Sequence, residues 1–77
     1  MPKVIAILYP GVIGRAASEE KEQTLLVGEG TTVKKLQLLL HVAPGTAIIL
    51  IDKQVAGEEH LLDEGDVVEF HPVFSGG

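Results

Sequence analysis

The sequence contains no cysteine and no tryptophan, and its only aromatic residues are Tyr9, Phe70 and Phe74. Without cysteine there is no thiol nucleophile, no thiolate metal site and no disulfide staple. A secreted domain this small commonly needs disulfides, so the expected compartment is reducing and the expected location cytoplasmic. The core has to be aliphatic. Long apolar runs are missing too: none approaches the roughly 20 residues of a membrane span. No basic stretch leads an apolar one as in a signal peptide, so no membrane partner is expected. Basic residues are also in deficit, 6 Lys and Arg against 11 Asp and Glu, a net charge of −5. That balance repels nucleic acid and suits a solubility role or a basic protein partner.

What is present is a core. Hydrophobic residues make up 45% of the 77 positions and charged residues 22%, which describes one small folded domain rather than a disordered acidic tail. Lys3 to Tyr9 is a β-branched apolar run that barely alternates, the pattern of a strand buried on both faces. Pro10-Gly11 ends it. Gly11 to Gln23 is irregular, and two readings are open for it. One is a helical turn over Ala16–Glu22 with Ser18 as cap; the other is a solvated acidic loop. Thr24 to Gly30 reads as a second strand.

One helix is expected from Thr32. Thr32 is a good N-cap, although Lys35 stands where a capping box wants Glu or Gln. Val33, Leu36, Leu39 and Leu40 are expected on its buried face, with Leu38 pointing away. The helix should end near His41 to Ala43, ahead of Pro44, and Gly45 closes the turn. Ala47–Ile51 is a third strand, Asp52-Lys53 a turn, and Gln54–Ala56 a short partner strand. Leu61 and Leu62 read as an apolar plug under a loop, and Gly65-Asp66 as a turn. Val67–Val73 is the last strand, with Val68 and Phe70 facing the core and Glu69 and His71 facing water. A hairpin, one helix and later strands pairing beside the first, partly in parallel, make an α+β roll.

Nothing in this layout carries chemistry by itself. His41, His60 and His71 do not pair at metal-ligand spacing, and no metal site is expected. His41 is placed to complement the helix dipole. Ser18 and Ser75, the only serines, lie outside any nucleophile elbow. Gly28 and Gly30 lack the lysine and spacing of a phosphate loop and offer at most a weak anion site at the helix start. The acidic residues from Glu58 to Asp66 do not follow the calcium-loop order. An independent enzyme is therefore not expected, nor a tightly bound cofactor.

The ending "FHPVFSGG" remains. Gly76-Gly77 is either flexible filler or a working end. Glycine passes through narrow channels and takes backbone angles closed to other residues. Phe74 to Gly77 can carry a carboxylate about 13 Å from the domain at about 3.3 Å per residue. A carboxylate must first be joined to a leaving group, as in an acyl-adenylate made from ATP, and a partner must supply that catalysis.

The run "EGDVVEFHPVFSGG", with its glycine-acid turn, alternating strand, proline-valine and terminal Gly-Gly, resembles the ubiquitin-like sulfur carriers of the MoaD/ThiS type. "GTTVKKLQLLL" resembles their helix, and the likeness covers nearly the whole chain. It implies a β-grasp fold, a mixed four- to five-stranded sheet with one main helix on one face. Residues 1–73 would form the domain and 74–77 a flexible tail. The resemblance also implies a mechanism. The Gly77 carboxylate, reached through Gly76, is adenylated by a ubiquitin-activating-type adenylyltransferase using ATP and Mg²⁺. A sulfur donor then makes it a thiocarboxylate. In the molybdopterin type, which the Gly11–Gln23 segment and "HPVFSGG" resemble most, the tail enters the large subunit of molybdopterin synthase and gives its sulfur to a pterin precursor. His71, Pro72, Val73, Phe74 and Ser75 are the expected partner-binding residues, unless Phe74 folds back onto its own core. Two features depart from that pattern. Phe74 separates Pro-Val from the small residue before Gly-Gly, and Asp52-Lys53 replaces the family's usual Asn-Gly turn. A thiamine-pathway carrier, a modifier joined to lysines and a noncovalent binding module are the alternatives.

Overall fold

The structure is a computed structural model that describes residues 1–10, 20–43, 45 and 47–73. The elements follow in the order β1 (Lys3–Leu8), β2 (Lys21–Leu26), α1 (Val33–Leu39), β3 (Ala47–Ile51), β4 (Gln54–Val55) and β5 (Val67–Pro72). The strands form one mixed sheet in the order β2-β1-β5-β3-β4. β5 lies at its centre, parallel to β1 and antiparallel to β3. This is the ubiquitin-like β-grasp. The apolar run of β1 is interior, between β2 and β5, as its lack of alternation requires. The expected helical turn at Ala16–Glu22 and the tail 74–77 fall wholly or largely outside the described residues. Lys21 and Glu22, however, belong to β2.

That start of β2 differs from the expected Thr24–Gly30. β2 pairs with β1 along its full length, from Lys3 opposite Leu26 to Leu8 opposite Lys21. Backbone pairing extends the strand through Lys21-Glu22-Gln23, which no side-chain pattern marks. β2 is an edge strand, where polar residues are tolerated.

The core lies between one sheet face and α1. Val4, Ala6 and Leu8 of β1, Ile49 and Ile51 of β3, and Val68 and Phe70 of β5 meet Val33, Leu36 and Leu40. Val27, Val42 and Leu62 close its margins. Among the described residues Phe70 is the largest fully buried side chain, with Leu8 beside it on one flank and Ile49 on the other. Of the expected Leu61–Leu62 plug only Leu62 is buried; Leu61 is exposed.

The buried stripe of the helix is Val33, Leu36, Gln37 and Leu40, the i, i+3, i+4, i+7 set of an amphipathic helix. Leu39, expected inside, is exposed, and Gln37 takes the inner place. At about 100° per residue Leu39 stands roughly 120° from Val33, whereas Gln37 stands roughly 40° away. Leu38 is exposed as expected. Thr32 caps the start, its Oγ1 accepting from Lys35 N at 3.2 Å. The end is a Schellman closure: Val42 N donates to Gln37 O at 2.8 Å and His41 N to Leu38 O at 3.3 Å. His41 occupies the left-handed position at φ 62°, so it acts as a backbone cap in a place glycine usually fills.

Gln37 is fully buried, and neither its Oε1 nor its Nε2 has a hydrogen-bond partner among the described residues. An unsatisfied buried amide costs about 1–3 kcal/mol, and an apolar residue of similar shape removes that cost. Gln37→Met, equal in length and in helix propensity, is expected to stabilise the domain by about 1 kcal/mol or more. For a chain of this size that raises the Tm by about 4–8 °C. Thermal unfolding of the two proteins checks this; an unchanged or lower Tm shows that Gln37 is satisfied.

Candidate functional site

The site begins with two adjoining residues of β5. Phe70 points into the core, so Glu69 and His71 lie on the opposite, outer face of the sheet. That face was expected to be wet. Instead Glu69 is only 3% exposed, screened by neighbours from three separate segments. Lys53 Nζ lies 2.8 Å from Glu69 Oε2. His71 Nε2 lies 2.9 Å from Oε1, and Tyr9 Oη makes a longer contact of 3.5 Å with the same oxygen. The Tyr9 and His71 rings are stacked, centroids 4.0 Å apart and planes 19° from parallel. An ionised carboxylate only accepts, so His71 Nε2 carries the proton in this contact.

Local structure brings each of these groups to the cluster. Tyr9 follows β1, and its backbone N donates to Phe70 O at 3.0 Å. Lys53 sits in the two-residue turn joining β3 to β4, with Asp52 at φ 51° and Lys53 at φ 72°. These angles are those of a type I′ hairpin, which favours Asn-Gly. Asp52 is retained for a reason of its own: its Oδ1 accepts from Val67 N at 3.3 Å while its N donates to Val67 O at 3.0 Å. The turn is thereby fastened to the start of β5, from which Lys53 reaches Glu69.

The electrostatics follow from this geometry. The hydrogen bond from Lys53, then that from His71, hold the Glu69 carboxyl below its ordinary 4.5 despite burial. The same Lys53–Glu69 hydrogen bond and the carboxylate's charge push the Lys53 ammonium up. Burial, then the Glu69 charge, push the Tyr9 phenol up.

Of the expected partner-binding residues, the structure places His71 in this cluster, Pro72 half-buried as the last residue of β5, and Val73 exposed just beyond. Phe74, Ser75, Gly76 and Gly77 lie outside the described residues. Sequence reading missed Tyr9, Lys53 and Glu69. Its one available signal was the Asp52-Lys53 turn, where two residues poorly suited to the backbone angles imply that their side chains are needed. The expected weak anion site at the start of α1 is occupied by the protein itself. Val33 N donates to His60 O at 3.0 Å, Lys34 N to Glu58 O at 2.8 Å, and Lys35 N to Thr32 Oγ1. A shallow cleft beside β4 includes Asp52, Asp63, Asp66 and His60. Asp66 Oδ2 there accepts from Asp63 N at 2.8 Å, so two of its carboxylates, those of Asp52 and Asp66, serve turns. No group of three or more His, Cys, Asp or Glu able to hold a metal ion occurs among the described residues, and no helix among them is long and apolar enough to cross a membrane.

The family model described as "ThiS family" matches residues 7–77. The chain belongs to the ThiS family. That is the family of ubiquitin-like sulfur carriers of MoaD/ThiS type, and the match takes in both the cluster and the Gly-Gly ending. Solved structures share the fold of this ThiS family chain. SAMP1 from Haloferax volcanii superposes with a TM-score of 0.69 at 18% identity, over 97% of this chain and 99% of that one. A candidate molybdopterin converting factor, subunit 1, from Pyrococcus furiosus gives 0.66 at 19% identity, over 96% and 100%. A ubiquitin-like protein from the hyperthermophilic archaeon Caldiarchaeum subterraneum gives 0.59 at 14% identity, over 96% and 99%. No curated protein matches the sequence significantly.

The Glu69 cluster sets a pH dependence. A carboxyl whose pKa is lowered on folding contributes stability that is complete above its unfolded value, here 4.5. That contribution is lost as pH falls through the lower folded value. Glu69→Gln is therefore expected to be less stable than the parent at pH 7, with the gap shrinking steadily below pH 4.5. Denaturant midpoints measured from pH 7 down to pH 3 check this; a gap that does not change with pH shows that Glu69 is not linked to folding.

Proposed function

We propose that this chain carries sulfur on the carboxylate of Gly77 for molybdopterin synthesis, the molybdenum and tungsten cofactor pathway. The observation that supports the reading is that the ThiS family match runs through Gly77. On this reading a partner provides the catalysis. In the first step a carboxylate oxygen of Gly77 attacks the α-phosphorus of ATP, and pyrophosphate leaves. A ubiquitin-activating-type adenylyltransferase performs this step with Mg²⁺ to balance the phosphate charge. In the second step a donor at the sulfide level attacks the acyl carbon. AMP leaves, and the thiocarboxylate remains. The large subunit of molybdopterin synthase then receives the tail, the thiocarboxylate sulfur bonds to the pterin precursor, and water hydrolyses the acyl–sulfur bond, leaving the sulfur on the pterin and restoring the Gly77 carboxylate for another round.

The tail has to leave the domain for these steps, and Gly76-Gly77 presents no side chain to a narrow channel. Pro72, Val73, Phe74 and Ser75 would form the docking edge, with Val73 already exposed. The molybdopterin branch is preferred for the ending "HPVFSGG" and the long Gly11–Gln23 segment. The structure that shares this fold and is described as a candidate molybdopterin converting factor is in keeping with it. A cysteine-free chain working with persulfide or sulfide chemistry suits a cytoplasmic setting, because it cannot be trapped as a mixed disulfide.

Intact mass tests the reading. Incubation with the activating enzyme, ATP, Mg²⁺ and a sulfide donor is expected to add about 16 Da, the exchange of one oxygen for sulfur. Deleting Gly77 is expected to abolish the gain while leaving the fold and Tm as they are. No gain in mass under conditions that charge another family member overturns sulfur carriage. Gly-Gly remnants on cellular lysines without a thiocarboxylate would instead make the chain a protein modifier.

A further inference from the structure

The last residues of β5 are poorly secured by backbone alone. β1 pairs with β5 only from Ile5–Val67 to Leu8–Phe70, and the bond from Tyr9 N to Phe70 O is the last on that side. Among the described residues, His71 and Pro72 retain β3 as their only strand neighbour, opposite Ile48 and Ala47. Pro72 has no N–H to give to a ladder. Five residues then separate Pro72 from the Gly77 carboxylate. At full extension they span about 17 Å, so a small change of direction at Pro72 becomes a large displacement of the carboxylate.

Side chains occupy the place where β1 gives out. The Tyr9 ring lies against the His71 ring at 4.0 Å, and His71 Nε2 is tied to Glu69 Oε1 at 2.9 Å. Glu69 is a fixed anchor because it is buried and held by Lys53 from the far end of the strand. Burying a carboxylate on the outer face is costly in water and adds nothing to the apolar core, which lies on the other face. Lys53 also accepts a left-handed backbone to reach it.

We propose that Tyr9, Glu69 and His71 form a clasp that fixes the direction in which β5 delivers the C-terminal residues. These three are positioning residues for activation of the Gly77 carboxylate, an assignment that rests on the sulfur-carrier reading above. The clasp holds the strand end before a partner arrives, so it reduces the ordering that docking must impose.

Glu69→Leu gives the sharpest test. Glu69 is buried, while Lys53, which loses its partner, is 80% exposed and stays solvated, so an apolar replacement leaves no buried charge unpaired. ATP–pyrophosphate exchange by the activating enzyme, followed against carrier concentration, yields KM and kcat separately. Glu69→Leu is expected to raise KM about tenfold, because docking must then impose the order the clasp supplied, with kcat within about twofold. Tyr9→Leu is expected to raise KM likewise, and Tyr9→Phe, which keeps the stacked ring, to return it toward the parent value. Amide NMR spectra establish that each variant is folded. If folded Glu69→Leu and Tyr9→Leu both show the parent KM while the parent is adenylated, the clasp is overturned and sulfur carriage stands. A parent protein that the enzyme never adenylates overturns both.

Discussion

The fold depends on β5 lying between two strands that come from opposite parts of the chain. Phe70 is the pivot of that arrangement, wholly buried, with Leu8 alongside in parallel and Ile49 alongside in antiparallel. No turn can impose the β1–β5 register, because some 60 residues separate the strands. The register is instead set by side-chain alternation: shifting β5 by one residue would turn Val68 and Phe70 to the outside. Once Phe70 is seated, Glu69 and His71 must face outward, and the strand must run toward Pro72 at the sheet end shared with Tyr9. The direction in which β5 runs at Pro72 is therefore a consequence of core packing.

The two buried polar side chains differ in a way that separates structure from function. Gln37 lies in the apolar core and is unpartnered among the described residues, so it only costs stability. Glu69 lies on the outer face with a cation, an imidazole and a phenol around it. Satisfying a buried carboxylate needs several donors placed together, and here they come from β5 itself and from two segments distant in sequence. Lys53 supplies the charge from a strained turn while its own side chain is 80% exposed. That exposure makes the ion pair a modest contributor by itself, since water screens one partner. The geometry it enforces on Glu69, and through Glu69 on His71, is better defined than its energy.

Much of the fold was legible in the sequence because it rests on apolar periodicity. β3, β4 and β5, the cap at Thr32, the turn at Gly65 and the central place of the buried first strand all follow from patterns within a few residues. The start of β2 was not legible, because Lys21-Glu22-Gln23 is held by backbone pairing to β1 rather than by a face of its own. Gln37 was hidden by its polarity: a count of leucines chose Leu39, although the angular spacing favours position 37. The site divides in the same manner. The proposed working end, Gly76-Gly77, and its proposed docking edge were suggested only by a resemblance in the last residues. The clasp could not be read in this way, because Tyr9, Lys53 and Glu69 are brought together only by the strand order β1-β5-β3.

A carrier of this kind has a physical problem that an enzyme does not. Its reacting atom must be free enough to enter two or more different partners, yet placed well enough that each finds it quickly. A longer glycine tail would ease the first demand and worsen the second, since the volume searched by the carboxylate grows with each free residue. The structure reconciles the two at a defined boundary. Up to Pro72 the chain is held by β3 on one side and by stacked rings on the other; beyond it Val73 is exposed. On the sulfur-carrier proposal, that boundary makes the domain up to Pro72 the handle by which each partner would aim the residues beyond it.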